Sequence, residues 1–244
     1  MATDPLAPFR DDPASSAVLL DVDGVLAPIV ARPELSAVPE PTLELVRGLL
    51  ARYRLVACVS GRTLVEVRRL VPLPGLLAAG NHGLELDVGN GPELVLEAES
   101  WLGRMEAAAE LLDQAASELG GFVERKGATL TVHWREAPDT DRASTELSLR
   151  AISVAHDTGL VTRPARMAIE LRPPLPFDKG SAVRALLRAR PCARSLYAGD
   201  DVTDIDAFAV VDVAVAVVSS EAPPGLVEAA TFAVDNAGAL LERL

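Results

Sequence analysis

Cysteine and positive charge are both scarce in this sequence, and each shortage excludes a class of protein. The chain has two cysteines, Cys58 and Cys192, which provide no disulfide framework. Cys58 lies in an apolar run, so we expect it in the core. Lysine and arginine number 23 against 35 acidic residues, which gives a formal net charge of −12. Nucleic acids and anionic membranes are bound through basic surfaces, so neither is an expected partner. An anionic small substrate would need local cations or a metal ion.

Long apolar runs are also missing. None reaches the roughly 20 residues that cross a bilayer, and the first 13 residues carry three aspartates instead of the basic and apolar regions of a signal peptide. We therefore expect a cytoplasmic protein in which residues 1–15 form a loose arm. The oligomeric state stays open, and a monomer is compatible with the sequence. The 244 residues, 49% of them hydrophobic, suit one large domain or two small ones.

The chain is organised around a buried strand that runs into acids. Residues 17–20 form a wholly apolar run, which predicts a strand buried on both faces. Asp21, Asp23 and Gly24 follow, and the glycine permits the turn that brings two alternating acids to one site. Ligands of open α/β sheets bind at this carboxyl edge. Taken alone, the same residues also suit a strand that ends in a polar turn.

Strands and helices alternate over the next part of the chain. Apolar runs predict strands at 55–59 and 76–79, and helical spacing predicts helices at 42–53 and 64–71. Because polar residues follow every strand, this order predicts a doubly wound parallel sheet. Residues 27–41 contain four prolines, and we interpret them as a stiff flap near the carboxyl edge.

A segment with a different order of helices and strands interrupts this α/β core. Its predicted elements are helices at 101–119 and 141–156 and strands at 122–125, 128–135, 160–163 and 166–171. We expect Thr140 or Asp141 to cap the second helix. The αββαββ order predicts an α+β insertion, residues 101–174, between core segments 1–100 and 175–244. The resumed core pattern predicts strands at 195–198 and 213–217 and helices at 179–188, 205–210, 224–230 and 237–244.

Acidic residues and hydrogen-bond donors follow several of the core strands. They are Asp21, Asp23, Ser60, Gly61, Lys179, Asp200, Asp201 and Asp204. Parallel strands would place them at one edge, where the carboxylates repel one another unless a cation lies between them. Oxygen ligands favour a hard ion, and Mg²⁺ retains a substrate phosphate in its shell. Ser60 and Lys179 supply hydrogen-bond donors to that phosphate.

These motifs resemble those of the haloacid dehalogenase superfamily of phosphohydrolases. The matching elements are Asp21-Val-Asp23-Gly24, Ser60-Gly61, Lys179 and Gly199-Asp200-x-x-x-Asp204. The resemblance implies a Rossmann-like core whose insertion is a type-two cap. It also implies that Asp21 is the nucleophile, forming an aspartyl-phosphate, and that Asp23 is the general acid and base. The implied phosphate ligands are Ser60, Gly61 and Lys179.

The same resemblance implies a Mg²⁺ site. Asp21, Asp200 and the backbone carbonyl of Asp23 would bind the ion, while Asp204 and Asp201 would orient its waters. One departure is Val25, which stands where the superfamily usually has threonine. A hydrogen bond from that hydroxyl is therefore missing. We expect this to affect the fine positioning of groups in the site, but not the identity of the nucleophile.

Longer strings resemble the trehalose-6-phosphate phosphatase family. They are Ser60-Gly61-Arg62, Gly80-x-His82-Gly83-x-Glu85, Glu124-x-Lys126, the stretch from Leu130 to Arg135, Glu170-Leu-Arg172-Pro173 and the stretch from Tyr197 to Phe208. A disaccharide carries many hydroxyls and needs several charged or amide partners. The substrate-binding residues that follow from the resemblance are Arg62, His82, Glu85, Lys126, His133, Arg135 and Glu170.

Structural interpretations of several residues remain open beside these roles. His133 suits a histidine satisfied on a strand surface, Arg135 and Glu170 suit a cross-strand ion pair, and Asp178 suits a helix start. The leading hypothesis is a Mg²⁺-dependent phosphatase acting on trehalose 6-phosphate. The alternatives are a phosphatase for sucrose 6-phosphate or mannosyl-3-phosphoglycerate, and a catalytically silent regulatory module. The presence of Asp21, Asp23, Lys179 and Asp200 argues against the silent module.

Overall fold

The computed structural model describes residues 4–30, 32–220 and 222–244. The chain divides into two compact units. The first holds the chain up to Glu93 together with Phe177–Leu244, and the second is Leu94–Pro176. The insertion expected at 101–174 therefore falls inside the second unit. None of the helices in the described ranges has both the length and the apolar character that a bilayer crossing requires.

The helices and strands follow one another in three segments. Before the insertion they are α1 (Ala7–Asp11), β1 (Ser16–Leu20), α2 (Glu40–Arg52), β2 (Leu55–Val59), α3 (Leu64–Leu70), β3 (Leu77–Gly80), β4 (Glu85–Asp87) and β5 (Glu93–Leu94). The next segment holds α4 (Leu96–Glu99), α5 (Leu102–Glu118), β6 (Phe122–Arg125), β7 (Leu130–His133), α6 (Thr140–Thr158), β8 (Val161–Ala165) and β9 (Ala168–Arg172). The last holds α7 (Lys179–Ala189), β10 (Arg194–Gly199), α8 (Ile205–Phe208), β11 (Val213–Val217), α9 (Leu226–Ala229), β12 (Phe232–Val234) and α10 (Ala237–Leu241).

The first unit is built on an eight-stranded sheet in the order β12-β11-β10-β1-β2-β3-β4-β5. The strands from β12 to β3 pair in parallel, which confirms the predicted parallel core, while β4 pairs antiparallel with β3. Strand β1 lies between β2 and β10, with Leu20 in register with both Cys58 and Ala198. The residues that follow these three strands therefore meet at one edge.

Two hydrophobic cores flank this sheet, because alternate residues of β1 face opposite sides. Val18 and Leu20 belong to the core that α2, α3 and α10 cover. Ala17 and Leu19 belong to the core that α7, α8 and α9 cover. Both faces of β1 are buried, which is why its residues 17–20 form one uninterrupted apolar run.

The second unit is a four-stranded antiparallel sheet in the order β6-β7-β9-β8, with α5 and α6 packed on one face. That face contributes Leu130, Val132, Ile169 and Leu171 to the core. Residues in alternation with these point to the other face, and Glu124, Thr131 and Glu170 form one cross-strand row there. We call this side of the sheet the polar sheet face.

The structure corrects several sequence-based expectations. Residues 4–15 are not a loose arm, because Leu6, which precedes α1, and Phe9, within α1, are buried in the core of the first unit. Residues 1–3 of the expected arm lie outside the described residues. Helix α6 is capped by Asp139, whose carboxylate accepts from the backbone N–H of Arg142 at 3.0 Å, and not by Thr140 or Asp141. Strands β4, β5 and β12 were not predicted.

The proline-rich stretch expected to form a flap is anchored where the structure describes it. Ser36 and Val38 are buried, and the Pro33 carbonyl accepts a hydrogen bond from the Arg62 guanidinium at 3.1 Å. Residue 31 lies outside the described residues.

Candidate active site

Asp21 lies at the carboxyl end of the central strand. Its backbone N–H donates to the Ala198 carbonyl at 2.9 Å, which extends the β1–β10 pairing to this residue. One carboxylate oxygen accepts from the Val22 N–H at 2.7 Å, and the side chain is almost fully buried. Gly24 then turns the chain with a φ of +79°, and a Cβ at Gly24 would lie 2.0 Å from the Asp200 carboxylate. Only glycine therefore fits at this turn beside Asp200.

Lys179 brings a buried positive charge to the same edge. Its Nζ lies 2.8 Å from Asp21 Oδ2 and 2.6 Å from Asp204 Oδ1. The lysine is the first residue of α7, whose start is fixed by Asp178: the Asp178 carboxylate accepts from the Ser181 N–H at 2.6 Å. Asp178 is thus a helix-capping residue, as one interpretation of the sequence held.

Burial and neighbouring charges together shift the pKa values of both Asp21 and Lys179 upward. Burial raises the pKa of Asp21 well above its usual range; Lys179 opposes this shift, and the nearby Asp204 and Asp200 carboxylates add to it. Burial alone would lower the pKa of Lys179, but Asp204 and Asp21 outweigh burial and hold that pKa above its ordinary value. The site therefore keeps its ammonium group charged at neutral pH.

Asp204 is the anchor of the cluster. Its Oδ1 accepts from Lys179 Nζ and from the Tyr197 hydroxyl, both at 2.6 Å. Its Oδ2 accepts from the backbone N–H groups of Asp200 at 3.0 Å and Asp201 at 2.9 Å. These four bonds fix the lysine and the loop after β10 at once. Tyr197 was not among the predicted site residues. It is the first residue of the Tyr197–Phe208 string that resembles the family, and this position could have identified it.

Three carboxylates of the cluster could hold a metal ion. Asp21, Asp200 and Asp204 each offer an oxygen, and these oxygens lie within 4.8 Å of one another. The Asp201 carboxylate instead accepts from the Val202 N–H at 2.8 Å, where it caps a short 3-10 turn. The donor set consists of oxygen atoms alone, which is the preference of Mg²⁺.

Asp23 and Arg62 form a two-point ion pair. Arg62 Nε lies 2.6 Å from Asp23 Oδ2, and Nη2 lies 2.8 Å from Oδ1. Arg62 comes two residues after Ser60, and its backbone N–H donates to the Ser60 hydroxyl at 3.1 Å. Arg62, a predicted substrate ligand, therefore contacts Asp23, the predicted general acid and base.

The turn after β3 packs directly on the turn after β2. His82 adopts a φ of 54°, in the left-handed region that favours glycine, and its N–H donates to the Ser60 carbonyl at 3.0 Å. A Cβ at Gly61 would meet His82 Nε2 at 2.7 Å, so glycine is needed for this close approach. His82 thus lies beside the predicted phosphate ligands Ser60 and Gly61.

Glu85 supports the same turn. One of its carboxylate oxygens accepts from the Leu64 N–H at the start of α3 at 2.6 Å, and the other accepts from the Asn81 side chain at 2.5 Å. Burial raises the pKa of Glu85, while these two hydrogen bonds oppose the rise. The bonds hold the β2 and β3 turns together, a supporting function that the sequence did not indicate.

In the second unit, two of the predicted sugar ligands contact Glu124, a residue that was not a candidate. Glu124 Oε2 lies 2.8 Å from His133 Nε2 and 3.5 Å from Lys126 Nζ. The Phe122 ring stacks on His133 at a centroid distance of 4.7 Å. Glu170 lies on the same polar sheet face and is nearly fully buried. Arg135 follows β7 outside any strand.

Comparison with known proteins identifies the family. The profile described as trehalose-phosphatase matches residues 19–229. The chain belongs to the trehalose-phosphatase family. A trehalose-phosphate phosphatase of Mycobacterium tuberculosis is 36% identical over 208 residues, which cover 80% of this chain and 51% of that protein. The family resemblance seen in the sequence motifs is thereby confirmed.

Solved structures agree with this family assignment. The crystal structure of a trehalose-6-phosphate phosphatase related protein has a TM-score of 0.79 at 28% identity, over 93% of this chain and 95% of that one. A haloacid dehalogenase-like hydrolase from Bacteroides thetaiotaomicron has a TM-score of 0.66 at 14% identity, over 93% of this chain and 98% of that one, and shows the shared fold alone.

The chain spans only part of the length of the curated relatives described here. It spans about half the length of the trehalose-phosphate phosphatase described above. An uncharacterized glycosyl hydrolase of the same organism is 37% identical over 201 residues, which cover 79% of this chain and 15% of that protein. The activity of this chain is therefore a separate question from its family.

Proposed function

We propose that this chain is a phosphatase that hydrolyses trehalose 6-phosphate to trehalose and phosphate. The observation that carries the proposal is the buried Asp21 carboxylate, held 2.8 Å from the Lys179 ammonium in a member of the trehalose-phosphatase family. A carboxylate in this position can attack phosphorus. The ammonium offers positive charge to phosphoryl oxygens that the surrounding carboxylates would repel. Ser60, Gly61 and Lys179 are the phosphate ligands in this proposal.

The reaction proceeds in two steps through Asp21. First, a carboxylate oxygen of Asp21 bonds to phosphorus while the bond from phosphorus to the sugar oxygen breaks, and Asp23 gives a proton to that oxygen. Second, Asp23 takes a proton from a water molecule whose oxygen bonds to phosphorus. The bond from phosphorus to Asp21 then breaks, which restores the carboxylate and releases phosphate. One residue thus acts as acid and then as base.

The donor set of the cluster fits Mg²⁺. Asp21, Asp200 and the Asp23 backbone carbonyl would hold the ion. The carboxylate oxygens of Asp21, Asp200 and Asp204 lie within 4.8 Å of one another. Asp204 and Asp201 are not direct metal ligands in this proposal, because Asp204 already accepts four hydrogen bonds and Asp201 caps a turn. Bound there, Mg²⁺ would neutralise charge between the carboxylates and the substrate phosphate.

We assign recognition of the sugar to residues outside the phosphate site. In the second unit they are Lys126, His133, Arg135 and Glu170, joined by Glu124, and in the first unit they are His82 and Glu85. Charged groups of both signs on the polar sheet face support this assignment, because a disaccharide needs both donors and acceptors. The acidic composition supports the absence of nucleic-acid and anionic-membrane partners. In this proposal the chain is a cytoplasmic enzyme whose partner is a small sugar phosphate.

The test of this proposal is phosphate release from trehalose 6-phosphate by the wild type, Asp21→Asn and Asp212→Asn. An amide cannot attack phosphorus as a carboxylate does, so Asp21→Asn should lose turnover. Asp212 is the matched control, because its carboxylate bonds only to Ser195 groups, the N–H at 2.7 Å and the hydroxyl at 2.9 Å, among the described residues. Near-wild-type turnover by Asp21→Asn would exclude the covalent mechanism.

A further inference from the structure

Asp23 depends on another residue for its orientation. Its side chain is 39% exposed, so by itself it would sample several rotamers. The Arg62 guanidinium removes this freedom, because its two N–H groups bond separately to the two carboxylate oxygens at 2.6 and 2.8 Å. A two-point contact between planar groups fixes direction as well as distance. The Ser36 hydroxyl adds a weaker contact to Asp23 Oδ1 at 3.4 Å.

Arg62 is itself held in place and so can serve as a template. It is buried, and its Nη1 donates to the Pro33 carbonyl at 3.1 Å and to Glu66 at 3.4 Å. Glu66 is fixed in turn at the start of α3, where it accepts from the Thr63 N–H at 3.1 Å and the Thr63 hydroxyl at 2.8 Å. The orientation of Asp23 is therefore tied to α3 and to the proline-rich loop.

We propose that Arg62 is a positioning residue that holds ionised Asp23 in the orientation needed to activate water, and that it is not a sugar ligand. The inference rests on the proposed function and concerns its second step. There the proton of water moves to an Asp23 oxygen, the water oxygen bonds to phosphorus, and the bond from phosphorus to Asp21 breaks. A guanidinium group binds best to a charged carboxylate, and Asp23 has that form when it takes the proton from water. Small displacements of a reacting group slow such steps strongly.

The reaction with p-nitrophenyl phosphate separates the two steps. Its leaving group departs as a stable anion, so formation of the aspartyl-phosphate depends little on a proton from Asp23. Hydrolysis of the aspartyl-phosphate still needs Asp23 as the base. Loss of Arg62 should therefore slow the second step more than the first, and the phosphoenzyme should accumulate.

The experiment is stopped-flow measurement of p-nitrophenol release by the wild type, Arg62→Ala, Arg62→Lys and Asp23→Asn. Arg62→Ala should show a burst of roughly one equivalent per active site, followed by steady turnover about 10- to 100-fold below the wild type. Asp23→Asn should show the same burst. Arg62→Lys should lie between Arg62→Ala and the wild type, because an ammonium makes a point contact and not a fork.

Arg68→Ala is the matched control. Arg68 also bonds to a carboxylate and a backbone carbonyl, at 2.5 Å to Asp87 and 2.7 Å to Leu76, but it lies away from the site. This variant should be less stable and show no burst.

Three results would overturn the inference. They are a burst from Asp23→Asn without one from Arg62→Ala, a proportional loss of burst and turnover in Arg62→Ala, and a raised KM for trehalose 6-phosphate at unchanged kcat. The last would make Arg62 a substrate ligand. Failure of the wild type to release phosphate from any sugar phosphate would instead remove the proposed function.

Discussion

Replacing Asp204 with asparagine should remove the charge at the centre of the active-site network while keeping its shape. Asp204 is fully buried and accepts two hydrogen bonds at each oxygen. Asparagine turns one of these acceptors into an NH₂ donor. The NH₂ would face either the Lys179 ammonium and Tyr197 hydroxyl or the N–H groups of Asp200 and Asp201. Neither orientation satisfies all four partners.

The magnitude follows from the loss of one member of a buried ion pair. Such a loss destabilises a protein by about 3–5 kcal/mol. The lower end applies here, because Lys179 keeps Asp21 as a partner at 2.8 Å. A loss of about 3 kcal/mol should lower the Tm by about 6–12 °C in a chain of this size.

Urea unfolding and calorimetry of the wild type, Asp204→Asn and Asp212→Asn measure this effect. Asp212 accepts from the Ser195 N–H and hydroxyl and forms no ion pair with any residue that the structure describes, so Asp212→Asn should cost about 1 kcal/mol. If Asp204→Asn is within about 1 kcal/mol of the wild type, the network does not stabilise the fold and the reasoning is refuted.

The remaining predictions concern catalysis. Lys126→Ala and Glu170→Ala should lower kcat/KM for trehalose 6-phosphate by about 10- to 100-fold, and far less for p-nitrophenyl phosphate; equal losses would show a structural role. Exhaustive chelation should abolish phosphate release, Mg²⁺ should restore it and Ca²⁺ should inhibit it, whereas full activity without metal would contradict the proposed site. Gly24→Ala should lose activity, since its Cβ would lie 2.0 Å from Asp200; normal phosphate release would contradict this contact.

The core fold was predictable from sequence where a strand is buried on both faces. Strands β1, β2 and β11 are buried at every position, and each appears as an apolar run that cannot be confused with its surroundings. Strand β4 holds two acids, Glu85 and Asp87, in three residues at the antiparallel side of the sheet. A strand of three residues is too short to show the alternation of apolar and polar residues that predicts a strand.

The meeting of several candidate residues at one edge of the sheet was predictable from sequence, and their side-chain contacts were not. The carboxyl-edge rule brings Asp21, Ser60 and Asp200 together because β1 lies between β2 and β10. The pairing of Arg62 with Asp23 depends on side-chain geometry, and the four bonds to Asp204 depend on where Lys179 and two backbone N–H groups point. Sequence spacing contains neither kind of information.

The helix caps show the same limit on a smaller scale. Asp178 and Asp139 both cap helices, yet the sequence placed the second cap one or two residues too late. Several neighbouring residues there can cap a helix, and only the backbone conformation selects one.

The most direct test of the central claim is kcat/KM for phosphate release from a panel of sugar phosphates by the wild-type chain. The panel should include trehalose 6-phosphate, sucrose 6-phosphate, mannosyl-3-phosphoglycerate and glucose 6-phosphate. We expect trehalose 6-phosphate to exceed the others by about 100-fold or more, since a site built for hydroxyls discriminates against ligands that leave its polar groups unpaired. Preference for another member of the panel would contradict the proposed substrate, and no release from any of them would contradict the proposed enzyme.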